Sequence, residues 1–259
     1  MATLAVRIAH GPIGRYHCEP PWTTVHACDA VAAMLGLDGV QTLTVDEITA
    51  AQTAHGDIRY GEAVAHTLRT GEPLVMTHTQ HRRSDAVDRI LVTVTDVQHD
   101  GHGRPIALCG LAADITDTIC AGQDLASQHL VGIVDCGPAL VVLLCGEFDM
   151  RWRAELEQAM DTVLHHDGTG PVYLDARHLR FCDARSMSII TGAAAELTAR
   201  GRPTVLLNPS PILRRVLSLL TSPGRPLPFR VRVTAGLPDE GVEGQPVGTD
   251  RKRGMRRSP

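Results

Sequence analysis

The chain has 259 residues, 43% of them apolar and 21% charged, with a formal net charge of -4 and ordinary glycine and proline usage. That composition describes a globular chain and excludes wholesale disorder, collagen and coiled coil. At roughly 100 to 200 residues per domain the length accommodates one large domain or two small ones, and two are expected. The 7 cysteines include no Cys-x-x-Cys pair and no secretory leader is read in the sequence, so a reducing cytoplasm is expected rather than a disulfide framework. Apolar stretches such as Ala139 to Cys145 are strand-sized, far below the roughly 20 residues of a membrane-spanning helix. Lys252 is the only lysine, which removes catalytic lysine from any folded core and with it a Walker-type phosphate loop.

In chain order, Gly14-Arg15-Tyr16-His17 and Trp22-Thr23-Thr24-Val25 read as short strands, separated by the breaker Glu19-Pro20-Pro21. A helix from about Asp29 carries Val31, Met34 and Leu35 at helical spacing and stops at Gly36. Ala63, Val64, Thr67 and Leu68 mark an amphipathic helix from Arg59 to Thr70, closed by Gly71 and Pro73. Leu74 to Gln80, Ile90 to Val97 and Ile106 to Ala112 are rich in β-branched and apolar residues, and Asp100-Gly101-His102-Gly103 is a hairpin turn between the last two. Sequential strands of this kind form an antiparallel sheet. The order of elements, ending in Gly110-Leu111-Ala112-Ala113-Asp114-Ile115-Thr116-Asp117, resembles the PAS sensor family over about residues 10 to 117.

A second pattern begins near Gly132. Gly132 to Asp135 and Ala139 to Cys145 read as a hairpin joined by Cys136-Gly137-Pro138, and Asp149 precedes a helix with Trp152, Leu156, Met160 and Val163 on one stripe. Pro171 to Asp175 is a strand, Met187, Ile190, Ala194 and Leu197 mark a helix, and Thr204 to Leu207 is another strand. Strands alternating with helices imply parallel pairing in an α/β layer. Ser210-Pro211 supplies an oxygen cap and a first-turn proline for a final helix through Leu213, Val216, Leu217 and Leu220.

This half resembles a STAS domain, the anti-sigma-factor antagonist family, on four pieces in order: Gly146-Glu147-Phe148-Asp149, Tyr173-Leu174-Asp175, Leu179-Arg180-Phe181-Cys182-Asp183 and Asn208-Pro209-Ser210. The expected architecture is therefore an α+β PAS-like antiparallel sheet domain at 10–117, a linker at 118–131, and a STAS-like α/β domain at 132–235 with a mixed sheet and helices on one side. The Pro-, Gly- and charge-rich segment 236–259, ending in Arg251-Lys252-Arg253-Gly254-Met255-Arg256-Arg257, has no apolar face to offset the entropy of ordering and is expected to be a disordered basic tail.

What the second resemblance implies is a partner-binding surface around Asp183. In the family, the residue after this aspartate is the serine or threonine that a partner kinase phosphorylates; here it is Ala184, whose methyl group cannot accept a phosphoryl group. The expected surface comprises Asp183, Ala184, Arg185, Ser186 and Ser188, with Asp183 suited to a helix cap. Ser186 and Ser188 are alternative acceptors or ordinary helix-surface serines, and Cys182 reads as buried packing rather than a redox sensor.

The PAS resemblance raises the question of a cofactor. The photochemical flavin subclass uses a cysteine after the second strand, and none lies between Cys28 and Cys109. His55 and His66 are the residues placed to ligate a haem, but in a chain with 13 histidines their presence alone does not indicate one. His78 and His81 fall on opposite faces of a strand, and His99 with His102 at the turn lacks further ligands, so no metal site is expected. No Gly-x-Ser-x-Gly elbow or catalytic spacing is present. No cofactor is expected, with an unidentified small ligand in the PAS interior left open. The resemblances imply a non-catalytic regulator whose partner is an anti-sigma factor of the serine-kinase type, freeing a sigma factor. A scaffold subunit assembling with other STAS proteins is the alternative, and a small-molecule enzyme role the more distant one. A homodimer through the PAS half is open, while membrane and direct nucleic-acid contacts are not expected.

Overall fold

The computed structural model describes residues 4–9, 11–37, 39, 41–53, 59–120, 125, 128–220 and 226–233, to which all structural statements refer. The chain opens with β1 (Ala5–Ala9), which joins none of the elements that follow it directly. Next come β2 (Ile13–Cys18), β3 (Thr24–Ala27), α1 (Asp29–Met34), β4 (Thr42–Thr44), α2 (Val45–Ala50), α3 (Tyr60–Thr70), β5 (Leu74–Arg82), β6 (Val87–His99) and β7 (Pro105–Asp114). Their strands form a curled antiparallel sheet in the order β4-β3-β2-β7-β6-β5. Alternation along β2 turns Gly14, Tyr16 and Cys18 inward. With Val25, Val31, Met34, Ile48, Tyr60, Val64, Met76 and Leu91 they make the first core under α1, α2 and α3.

The expected strands and helices of this half are present, with β5, β6 and β7 each longer than the apolar runs that marked them. β4 and α2 lay outside the sequence reading. Their signal is nonetheless local: the Thr44 hydroxyl accepts the Glu47 N–H at 3.1 Å while the Glu47 carboxylate accepts the Thr44 N–H at 2.9 Å, a reciprocal cap.

The second half contains a π-helical turn (Thr116–Cys120), β8 (Leu130–Asp135), β9 (Leu140–Phe148), a 3-10 turn (Met150–Trp152), α4 (Arg153–Leu164), β10 (Val172–Asp175), β11 (Leu179–Cys182), α5 (Ala184–Ala199), β12 (Thr204–Leu207), α6 (Pro211–Leu220) and β13 (Arg230–Arg232). The sheet runs β1-β8-β9-β10-β12-β13, with β11 paired to the end of β9. Only the β8–β9 hairpin is antiparallel; every other pairing is parallel, so the sheet is mixed.

Both faces of this sheet are buried, which is why its strands read as continuous apolar runs. On one face Val131, Ile133, Val142, Leu144, Leu174 and Leu206 pack against Leu156, Met160, Ile190, Leu197, Leu213 and Leu217 of the helices. On the other, Leu130, Val134, Val141, Leu143, Tyr173 and Leu207 meet Val75, Val92, Val94, Ala113, Ile115 and Ile119. The helices do lie on one side; the first sheet covers the opposite side. The approach is close at Gly132, where an added Cβ would come within 2.9 Å of the Ile119 side chain.

The expected divisions are redrawn at their edges. β1 lies ahead of residue 10 yet pairs with β8, Ala5 opposite Leu130, and so belongs to the second sheet. The segment expected as a linker contributes Ile119 and Leu130, both fully buried, because the two sheets share a core there. Residues 179–182, assigned no element in the sequence, are a strand; the inward residues are Leu179 and Cys182 with two exposed residues between them, which hides the alternation. β13 is an additional edge strand. The basic tail expected at 236–259 lies outside the described residues.

Candidate functional site

Strands β9, β10, β11 and β12 run in one direction, so their carboxyl ends open onto the same edge of the sheet. That edge carries the residues singled out around Asp183. The Asp183 N–H donates to the Phe148 carbonyl at 2.9 Å, tying the end of β11 to the end of β9. Its carboxylate caps α5, accepting the Ser186 N–H at 2.7 Å. Ala184 and Arg185 are exposed on the first turn, and Ser188 is exposed one turn on.

Ser186 departs from expectation. Its side chain is 2% exposed and lies on the inward stripe with Met187, Ile190, Ala193, Ala194 and Leu197. It is neither a surface serine nor a reachable acceptor, because positions 3 and 4 after the cap turn toward the sheet. Cys182 is buried beneath the cap, and burial, with Asp183 adding to it, pushes its thiol up to about 12. Such a thiol stays protonated and unreactive.

Apolar side chains missed by the sequence reading complete this edge. Met150 is 74% exposed, Phe181 48% and Ile212 66%. Each follows or ends a strand at the same edge: Met150 after β9, Phe181 within β11, Ile212 after β12. Ile212 was visible as an apolar residue off the Leu213 and Leu217 stripe of α6. Charged pairs rim them, Arg151 with Asp149 at 2.8 Å and Arg180 with Glu147 at 3.6 Å. The bidentate Arg151 contact holds the Asp149 carboxyl below the usual carboxylate range while Asp149 also caps the turn into α4. The edge thus carries exposed apolar side chains, charged pairs and the capped amino end of α5.

The first domain's interior differs. The Tyr16 hydroxyl bonds Thr95, and burial raises the Tyr16 and Tyr60 phenols. A cavity of about 30 Å³ lies between Tyr16, Tyr60, His78, Thr93 and their apolar neighbours. That is room for about one water. His66 sits outside it, its Nε2 3.9 Å from the Glu72 carboxylate, and His55 lies outside the described residues. His78 and His81 do take opposite faces: His78 is buried beside the cavity, while His81 pairs with Asp88 at 2.9 Å. His99 and His102 are exposed. Among the described residues no group of three or more His, Cys, Asp or Glu could hold a metal ion. An open concavity of about 1000 Å³ runs past His17, His26, Cys109 and Pro138, at the end of β9 opposite to Asp183. The second sheet covers part of the outer face of the first, over β5, β6 and β7, and leaves the outward residues of β2 exposed.

Comparison with known proteins follows this division. Residues 136–221 match the family model described as Mlab, STAS domain. No curated protein matches the chain. Among solved structures, the anti-sigma factor antagonist SpoIIAA in its unphosphorylated form is 27% identical, covering 32% of this chain and 76% of that one, with a TM-score of 0.28. The N-terminal domain of a diguanylate cyclase with PAS/PAC sensor from Marinobacter aquaeolei is 16% identical, covering 40% of this chain and 95% of that one, with a TM-score of 0.36. An RNA-binding light-oxygen-voltage receptor is 21% identical over 40% of this chain, with a TM-score of 0.35, and the match spans 30% of that receptor. The STAS match falls within the second domain, from β9 to α6, and the PAS/PAC and light-oxygen-voltage structures are what the first domain is similar to. No helix among the described residues is long and apolar enough to cross a membrane.

Proposed function

We propose that this chain is a non-catalytic cytoplasmic regulator that binds an anti-sigma factor of the serine-kinase type through the Asp183 edge and so frees a sigma factor. The observation that carries the reading is the capped start of α5, with Ala184 and Arg185 exposed beside Met150, Phe181 and Ile212. Apolar side chains at the centre supply binding energy when desolvated, and the arginines and carboxylates around them set orientation. A phosphorylated residue after the cap would add nearly two negative charges to this surface. Ala184 has no hydroxyl, so binding here is not switched off by that route, and control passes to the first domain, to partner level or to assembly.

The test is calorimetric titration of the chain with purified serine-kinase-type anti-sigma factors from its source organism. Ala184→Glu places a charge in the apolar centre and should weaken binding by at least roughly tenfold while leaving thermal unfolding near wild type, since the position is exposed. Ala184→Ser should bind like wild type until the kinase and ATP are supplied. Equal affinity for wild type and Ala184→Glu with every such factor would refute the reading.

A further inference from the structure

Strand β5 faces both halves of the molecule. By alternation its even-numbered residues, Met76 and His78, point into the first core, and its odd-numbered residues, Val75 and Thr77, point at the second sheet. At Thr77 the contact becomes polar. The hydroxyl donates to Asp175 Oδ2 at 3.0 Å, and the Thr77 carbonyl accepts from Arg177 Nη1 at 2.7 Å. Asp175 is 3% exposed and Thr77 2%. The other carboxylate oxygen of Asp175 accepts the Arg177 N–H at 3.1 Å, closing the ring of contacts around the turn that leaves β10.

That turn leads directly to the candidate surface. Residues 176–178 connect β10 to β11, which ends at the Asp183 cap. It is held within its own sheet by Ala176 N–H to the Leu207 carbonyl at 2.9 Å and by Gly146 N–H to the His178 carbonyl at 2.8 Å. Both of these are backbone contacts inside the second domain. The side-chain tether comes from the first domain through Thr77. Next to Thr77, His78 lines the small cavity with its Nδ1 buried and without a hydrogen-bond partner. Burial, with the Arg177 charge adding to it, pushes the His78 imidazole down to about 3, so Arg177 lies within electrostatic reach of the first core.

We propose that Thr77 is a positioning residue: it holds the Asp175–Arg177 turn, and through β11 the Asp183 edge, in register with β5, so that a displacement of β5 is transmitted to the partner surface. The consequence for the partner rests on the function proposed above; the positioning of the turn does not. A buried carboxylate and a buried guanidinium must keep their partners or incur a desolvation penalty, so a shift of Thr77 carries the turn with it rather than sliding past it. The coupling therefore runs through side chains, in addition to the chain connection at the π-helical turn.

Thr77→Val keeps the shape of the side chain and removes its donor, and Thr77→Ser keeps the donor. Hydrogen exchange of the full chain reads the turn without any partner. In Thr77→Val, amides from Ala176 to Asp183 should exchange at least about tenfold faster while those of β8 and of β9 before Gly146 are unchanged, and Thr77→Ser should match wild type. Should Thr77→Val fail to fold, Arg177→Met, which removes the bond to the Thr77 carbonyl, takes its place with the same expectation. Unchanged exchange in the turn overturns the proposal, as does loss of protection spread evenly over both sheets. Titration with the same purified anti-sigma factors then separates the two readings. Faster exchange with weaker binding supports the transmission to the partner surface; faster exchange with unchanged binding upholds the positioning role and overturns the assignment of the Asp183 edge as the docking face.

Discussion

The seam between the two sheets and the Asp183 edge both gather apolar side chains, and they treat the polar groups among them in opposite ways. In the seam, Thr77, Asp175 and Arg177 bond one another beneath a fully buried layer of Val92, Leu130, Val141 and Ile119. At the edge, Met150, Phe181 and Ile212 remain open to solvent, and the charged pairs stand around them. A permanent intramolecular interface resolves its polar groups internally. The edge, where a partner is proposed to bind, leaves apolar side chains uncovered among its charges.

The comparison is broken most severely by a charge in the seam. Val92 is 0% exposed, and Val92→Asp would bury a carboxylate with no partner, at a cost on the order of 4 kcal/mol or more. The two tryptophans, Trp22 in the first domain and Trp152 in the second, allow urea unfolding to be followed in each half with single Trp→Phe variants. Both midpoints should fall together; a Trp152 midpoint that stays in place would show that the seam does not couple the halves.

Acidification probes the seam from the side of the first core. His78 has an ordinary value of 6.5 and a folded value pushed down to about 3 by burial, with the Arg177 charge adding to it. As pH falls the unfolded chain takes up this proton first, so the contribution is intact above about 6.5 and is lost progressively toward 3, with a limiting slope of about 1.4 kcal/mol per pH unit. His78→Gln cannot titrate, and its stability measured from pH 7 to 4 should decline less steeply than wild type. Parallel slopes would contradict the buried neutral imidazole. The smallest effect belongs to the edge: Asp183→Ala removes the α5 cap and should cost about 1 kcal/mol by urea titration, without separating the Trp22 and Trp152 transitions.

The sequence carried the elements better than their arrangement. Helical spacing marked α3, α4, α5 and α6, β-branched and apolar runs marked β5, β6 and β7, and Asp183 was legible as a cap because an aspartate stood immediately before an apolar helical stripe. Thr44 with Glu47 was an equally local signal that went unread. β11 was hidden because Arg180 and Phe181 are both exposed, so its alternation fails. Ser186 was misplaced for a related reason: a serine on an inward helical position looks the same in sequence as one facing water. The seam was legible only as an excess. β8 and β9 are apolar on both faces, which demands a second covering layer, but nothing local says that β5, β6 and β7 supply it. The exposed Met150, Phe181 and Ile212 likewise follow from tertiary placement, since each belongs to a segment whose neighbours are buried.

β1 gives the chain an order of assembly. It is made before the first sheet, yet its partner β8 begins only at Leu130, so the segment between them must be synthesised before the second sheet can close on that side. Topologically, the first domain is an insertion within the other, entered after β1 and left before β8. Residues 130–233 taken alone would therefore be a sheet with an open flank, β8 offering unpaired backbone groups along a strand rich in valine and isoleucine. The two halves are not beads that can be exchanged at a tether; the first is held inside the second by a strand that precedes it and pairs beyond it.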